Sequence, residues 1–148
     1  MTVRDGRILA VDYGSRRIGL AICDPTRTVV TGLPLIETKD PMQEVGRIAE
    51  IAEGREVAEI VVGLPLNMND TVGPRARLTL AFVEQLRLHV RCPVETFDER
   101  LTSFEAEERL RGSGLGRKAK RRHVNTVAAQ IILETYLAAK KKAEGDRQ

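Results

Sequence analysis

Four residues of this chain could do metal chemistry together: Asp12, Asp98, Glu99 and Asn125. Asp12 ends the apolar run of residues 8–11. Asp98 and Glu99 end a second run that starts at Val94, and Asn125 opens the apolar face of the last helix. A carboxylate at the tip of a buried strand is costly to bury alone, so it caps a turn, pairs with a cation or binds a metal. Asp12 can cap the turn supplied by Gly14 and Ser15, or it can be the first ligand of a metal site. Carboxylates that converge repel one another unless a cation neutralises them. An all-oxygen donor set favours Mg²⁺ or Mn²⁺ over zinc. Two such ions can clamp the attacking and leaving oxygens of a phosphodiester displacement. Alternation along a strand sends Asp98 and Glu99 to opposite faces, so at most one faces Asp12 directly. Asp98 is the expected one, with Glu99 or Asn125 assisting.

The chemistry of such a site would act on a polyanion, and the charge pattern suits one. The net charge is only +3, with an isoelectric point near 9.1. Basic residues concentrate between Arg109 and Arg122, however, and again at Lys140–Lys142. A local patch of this kind fits a polyanionic partner. Aromatic residues make up 3% of the chain and there is no Trp, which argues against a base-stacking platform. Nucleic-acid contacts are expected from Ser15, Arg16, Arg17, Asn67 and Arg100. Further contacts are expected from Arg117, Lys118, Lys120, Arg121 and Arg122 of a glycine-rich loop over residues 112–122.

The elements that must hold these residues follow from hydrophobic patterning. Residues 8–11, 18–23 and 29–36 read as three strands joined by short turns, an antiparallel meander. Pro34 suits an edge strand, where no ladder donor is lost. Asp40, Pro41 and Gln43 carry a helix start, and Val45, Ile48, Ala49 and Ala52 give one apolar face. A strand follows from Glu59, then a turn at residues 67–74. Pro74 opens a helix whose buried face is Thr79, Phe82, Val83, Leu86 and Val90. Val94 begins the fifth strand. Thr102 and Glu105 form a capping box for a helix to about Arg111. The last helix starts near His123 and buries Ala128, Ala129, Ile132, Leu133, Tyr136 and Leu137 along with Asn125.

The order predicts an α/β fold: a five-stranded mixed sheet, part antiparallel meander and part parallel, with helices on both faces. Ligands of such sheets gather at the carboxyl ends of the strands. One domain is expected over residues 1–139, with residues 140–148 as a polar tail. Two isolated cysteines, no signal-like N-terminus and no membrane-length apolar run fit a cytoplasmic protein.

Four stretches in order carry a family resemblance. They are Leu9-Ala-Val-Asp-Tyr-Gly-Ser-Arg-Arg-Ile-Gly-Leu-Ala, Ile60-Val-Val-Gly-Leu-Pro-Leu-Asn, Asp98-Glu-Arg-Leu-Thr-Ser and Val124-Asn-Thr-Val-Ala-Ala-Gln-Ile-Ile-Leu-Glu-Thr-Tyr-Leu. The chain resembles the YqgF/RuvX family over nearly its whole length. That resemblance implies an RNase H-like fold and divalent-metal nuclease chemistry with Mg²⁺ or Mn²⁺. It also implies a role in maturing the 5′ end of 16S rRNA. The implied partners are structured RNA such as pre-rRNA, or junction DNA, with pre-ribosomal particles; a monomer or weak homodimer is expected. The chain departs from the family pattern at Asn125, where the family has Asp. Asn keeps a carbonyl ligand but lacks the charge. A non-catalytic RNA-binding module is therefore the alternative to a nuclease. The Asp12-Tyr-Gly turn also resembles that of actin-like ATPases, but those need two such domains and this chain has room for one.

Overall fold

A computed structural model describes residues 6–102 and 124–146. Its strands are β1 (Arg7–Tyr13), β2 (Arg17–Cys23), β3 (Val30–Glu37), β4 (Val57–Leu64) and β5 (Val94–Asp98). The helices are α1 (Val45–Gly54), α2 (Pro74–His89) and α3 (Val124–Asp146). The expected capped helix start is a 3-10 turn, Pro41–Glu44, in which Asp40 Oδ1 accepts the Met42 N–H at 3.2 Å. A second 3-10 turn, Glu99–Leu101, follows β5 directly.

The strands pair in the order β3-β2-β1-β4-β5. β1–β2 and β2–β3 are antiparallel, while β1–β4 and β4–β5 are parallel. The central position of β1 explains its unbroken apolar run, since both of its faces are covered. Alternate residues then divide between two cores. Leu9, Val11 and Tyr13 face α1 and α2 together with Ile60, Val62, Phe82 and Leu86. Ile8 and Ala10 face α3 together with Val61, Ala129, Ile132 and Leu133. Burying each such large side chain is worth about 1.5–3 kcal/mol.

α3 crosses the sheet at close range, and two glycines permit this. A Cβ on Gly32 would lie 2.4 Å from Thr126 Cγ2, and one on Gly63 would lie 2.6 Å from Ile132 Cδ1. The helix does not end where the sequence suggests a frayed tail at Lys140; it continues to Asp146. Lys140 is the reason it holds. Its Nζ lies 3.1 Å from Glu59 Oε1 and 5.2 Å from the centre of the Tyr136 ring. The Ala, Lys and Glu residues that follow have high helix propensity. The helix expected over residues 102–111 and the glycine-rich loop after it lie outside the described residues.

Candidate metal centre at the carboxyl edge of the sheet

Asp12 is the sixth residue of β1 and pairs with Gly19 of β2. Strand alternation aims its side chain to the α3 face, the side of Ile8 and Ala10. It does not cap the hairpin turn. The Gly14 N–H goes to Arg17 O at 2.9 Å, so the turn closes without it. Among the described residues the Asp12 side chain takes part in no hydrogen bond and no ion pair. Burial pushes its carboxyl up to about 6, with the positive charge of Arg75 pulling weakly the other way.

Its partner across the sheet is Glu99, not Asp98. In β5, Phe97 pairs beside Gly63 and packs on the α3 face against Tyr136, ring centres 5.6 Å apart. Asp98, one residue on, therefore points to the other face. Glu99 lies across the α3 face of Gly63, with its Oε1 where a Gly63 Cβ would fall within 2.6 Å. Burial raises the Glu99 carboxyl to about 7, and the negative charge of Asp12 is the next largest cause. Hydrogen bonds from Arg100 lower the Asp98 carboxyl from its ordinary value. Glu99, not the expected Asp98, is thus the acid on the face of Asp12.

Arg100 is not left free for a polyanion. Its Nη2 donates to Asp98 Oδ2 at 2.8 Å, and its Nε lies 3.1 Å from both Asp98 oxygens. Its Nη1 reaches Asp70 Oδ1 at 2.8 Å and the carbonyl of Asn67 at 3.0 Å. Asn67 closes its own loop, its Nδ2 donating to Thr71 Oγ1 at 2.9 Å. Ser15, Arg16 and Arg17 are exposed in the β1–β2 hairpin, at the same edge as Asp12. Arg16, Arg17, Glu37, Thr38 and Lys39 line an open notch of about 400 Å³ there. Asn125 is the second residue of α3, but its side chain lies outside the described residues. So do Arg117, Lys118, Lys120, Arg121 and Arg122.

Sequence reading misses Arg75. It stands one residue after Pro74 in the first turn of α2, where the helix dipole disfavours a cation. That misfit is the signal that could have found it. Its Nη2 donates to Tyr13 O at 2.8 Å, and Tyr13 stacks on Phe82 at 4.3 Å between centroids. This anchor holds a positive charge near both acids, and that charge opposes both upward shifts.

The donor set fits a divalent cation. Two half-buried carboxylates, Asp12 and Glu99, face one another's charge. No ion pair neutralises either among the described residues. All their donor atoms are oxygens, the chemistry Mg²⁺ and Mn²⁺ prefer. No group of three or more Asp, Glu, His or Cys suited to a metal occurs among the described residues.

A family described as "RuvX: Holliday junction resolvase" matches residues 6–139. The chain is 44% identical over 131 residues to a protein of Anaeromyxobacter sp. (strain K) named "Putative pre-16S rRNA nuclease", covering 88% of this chain and 96% of that one. A protein of Chloroflexus aurantiacus (strain ATCC 29366 / DSM 635 / J-10-fl) with the same name is 41% identical over 139 residues, covering 94% and 91%. Among solved structures, Thermus thermophilus RuvC in complex with a Holliday junction substrate superposes with TM-score 0.65 at 16% identity, covering 93% of this chain and 96% of that one. The fowlpox virus Holliday junction resolvase superposes with TM-score 0.55 at 11% identity, covering 90% and 99%. At such identities the likeness is one of fold, the RNase H-like arrangement of a mixed sheet with helices. Matched by its family description from Gly6 to Ala139 and by close relatives over most of its length, the chain belongs to the RuvX family.

Proposed function

We propose that this protein is a divalent-metal-dependent nuclease that processes the 5′ end of pre-16S rRNA. The observation that carries this reading is the pair Asp12 and Glu99. Burial drives both carboxyls upward, the charge of Asp12 raises Glu99 further, and no cation touches either among the described residues. Such a pair is a standing deficit of positive charge that Mg²⁺ or Mn²⁺ would fill. A divalent ion held there would supply Lewis-acid polarisation to a phosphoryl oxygen. Asp12 and Glu99 would hold the ion from β1 and from the turn after β5. Arg75 keeps the two acids from repelling each other out of position while adding charge near the scissile phosphate. Ser15, Arg16, Arg17 and Lys39 would grip flanking phosphates along the hairpin edge, which positions the strand without reading its sequence. Arg117, Lys118, Lys120, Arg121 and Arg122 would extend that grip.

The substrate reading rests on the relatives' name, and structured pre-rRNA within pre-ribosomal particles is the partner it implies. The action would take place in the cytoplasm, where Cys23 and Cys92 stay reduced. No helix among the described residues is long and apolar enough to cross a membrane. A monomer or weak homodimer suffices, since both acids come from one chain.

The test is cleavage of a precursor 16S fragment, in parallel with a four-way DNA junction, in Mn²⁺ and in Mg²⁺. Metal-dependent cutting of the RNA at its 5′ flank, lost in Asp12→Asn, is the expected result. Cutting of the junction alone would move the substrate to DNA. Tight RNA binding with no cutting in either metal would make the protein a binding module, the reading that Asn125 favours.

A further inference from the structure

We propose that Arg100 is a positioning residue: with Asp98 and Asp70 it forms a brace that fixes Glu99 opposite Asp12, and it does not contact nucleic acid. The inference rests on the metal-site reading above and assigns that site its support.

The geometry is one of a fully engaged guanidinium. Asp98 accepts the Arg100 backbone N–H at 2.9 Å, capping the 3-10 turn that carries Glu99. The same carboxylate takes Arg100 Nε and Nη2, a two-pronged contact that fixes the plane of the guanidinium. On its far side Arg100 Nη1 binds Asp70 Oδ1 at 2.8 Å, Asn67 O at 3.0 Å and Met68 O at 3.4 Å. One side chain thus ties the end of β5 to the β4–α2 loop. That loop is itself closed: Asn67 N donates to Thr71 O at 3.0 Å, and Asn69 Oδ1 accepts from Thr71 Oγ1 at 2.6 Å. Asp70 holds a left-handed φ of 68° within it, a conformation an isolated Asp seldom keeps. The loop leads straight into α2 and Arg75. Glu99 is the residue between the two ends of the clamp, and its carboxylate lies over Gly63. A buried acid repelled by a second acid swings away unless its backbone is held. The brace holds it.

The charges agree with this division of labour. Arg100 faces two carboxylates, so its positive charge is neutralised within the fold. A phosphate arriving there would have to displace Asp70 or Asp98. Lysine cannot replace this residue, because a point charge on a flexible stem does not reproduce a four-partner planar fork.

The test compares Arg100→Ala, Arg100→Lys and Asp70→Asn with the parent protein. Three quantities are read: Mn²⁺ affinity by isothermal titration, RNA Kd and its salt slope without metal, and single-turnover cleavage in Mn²⁺. Both Arg100 variants should lose about 10- to 100-fold in Mn²⁺ affinity and in cleavage rate. RNA Kd and salt slope should stay at parental values. Asp70→Asn should lose less in the same direction, and nothing more when added to Arg100→Ala. It also keeps the test open should Arg100→Ala fold poorly. Weaker RNA binding with a salt slope shallower by about 1, restored by Lys, would mean a phosphate contact and overturn the brace. A lower melting temperature with parental Mn²⁺ affinity and cleavage would overturn it too. Asp12→Asn run alongside separates the two failures. If it binds Mn²⁺ and cleaves like the parent, the metal site itself is wrong and the brace falls with it. If it loses both while the Arg100 variants lose neither, only the brace is wrong.

Discussion

Glu59 and the pair Asp12–Glu99 lie on the same face of the sheet, on the side of α3, at opposite ends of the strands. Glu59, near the start of β4, is 8% exposed, accepts the Tyr136 hydroxyl and pairs with Lys140 at 3.1 Å. Tyr136 is wedged against Phe97, and burial together with the bond to Glu59 pushes its phenol well above the usual range. Glu59 thus has both a donor and a counter-charge in α3. At the carboxyl end, Glu99 feels the charge of Asp12, and neither acid has a cation in contact among the described residues. An acid needed only for folding is buried with its counter-charge. Acids left short of one are candidates for a functional site, and the proposed metal centre rests on that contrast.

The strongest way to break that contrast is to remove one acid from each end. Asp12→Asn should lower cleavage by about 100-fold or more, as loss of a group that stabilises transition-state charge does. RNA affinity should stay close to parental, because the grip on phosphates comes from Arg and Lys elsewhere. Glu99→Gln should behave alike. Asp98→Asn should act only through the brace and cost less. Single-turnover rates and a filter-binding Kd on the same preparations check this, and parental cleavage in Asp12→Asn would end the assignment.

pH sharpens the contrast. Asp12 and Glu99 have folded-state values raised to about 6 and about 7. The folded protein therefore binds these protons more tightly than the unfolded chain does. Without metal, their contribution to stability is full below about pH 4, and it is lost as pH rises through 6 to 7. The loss should be on the order of 2 kcal/mol, and it should shrink in Asp12→Asn to the part that burial imposes on Glu99. Asp98 and Asp24, whose carboxyls are held low, act in the opposite sense and at lower pH, so the comparison with Asp12→Asn isolates the site. Mn²⁺ should restore stability above pH 7. Thermal melts across pH 4–8 with and without Mn²⁺ measure it; a metal-free melting temperature that is flat from pH 5 to 7 would contradict it.

The amino end gives the converse result. Tyr136→Phe removes the O–H from Glu59 and leaves a buried carboxylate oxygen short of a donor. A cost of about 1–2 kcal/mol in stability is expected, with cleavage per folded molecule unchanged. Chemical denaturation and a rate normalised to folded protein test both halves. A fall in cleavage larger than the fall in folded fraction would show that the two ends are coupled through α3.

Much of this organisation is legible in the sequence, and the misses have physical causes. The strand order follows from a meander succeeded by right-handed crossovers, and Asp12 announces itself by ending an apolar run. The choice between Asp98 and Glu99 is harder. β1 and β4 are apolar on both faces, so their pattern does not say which face α3 covers. Phe97 was the available clue: it fills the α3 core, and Glu99 shares its parity. Arg100 looks like a free cation because a two-residue ion pair to Asp98 and a contact with Asp70, thirty positions away, leave no pattern in charge spacing. The end of α3 leaves no signal in local sequence because the partner that anchors Lys140 lies in a distant strand.

Asn125 offers the finest test, because it asks whether the site tolerates a third charge. The start of α3 stands at the level of Asp12: Thr126 Oγ1 donates to Leu33 O at 3.4 Å, Leu33 pairs with Leu20, and Leu20 with Val11. The positive end of a helix dipole favours an anion. Asn125→Asp supplies one with almost no change in shape. Mn²⁺ affinity should rise about fivefold, equivalent to about 1 kcal/mol, and cleavage should quicken at low metal concentration. A third acid in the site would be repelled by Asp12 and Glu99, so without metal the melting temperature should fall; with Mn²⁺ it should recover. If Asn125 instead donates its amide N–H₂ within the fold, an ionised Asp cannot replace it. The variant would then melt lower in Mn²⁺ as well, with unchanged metal affinity. Titration with Mn²⁺ beside melts in both conditions separates the outcomes, and the second would confine the metal centre to the acids of β1 and the turn after β5.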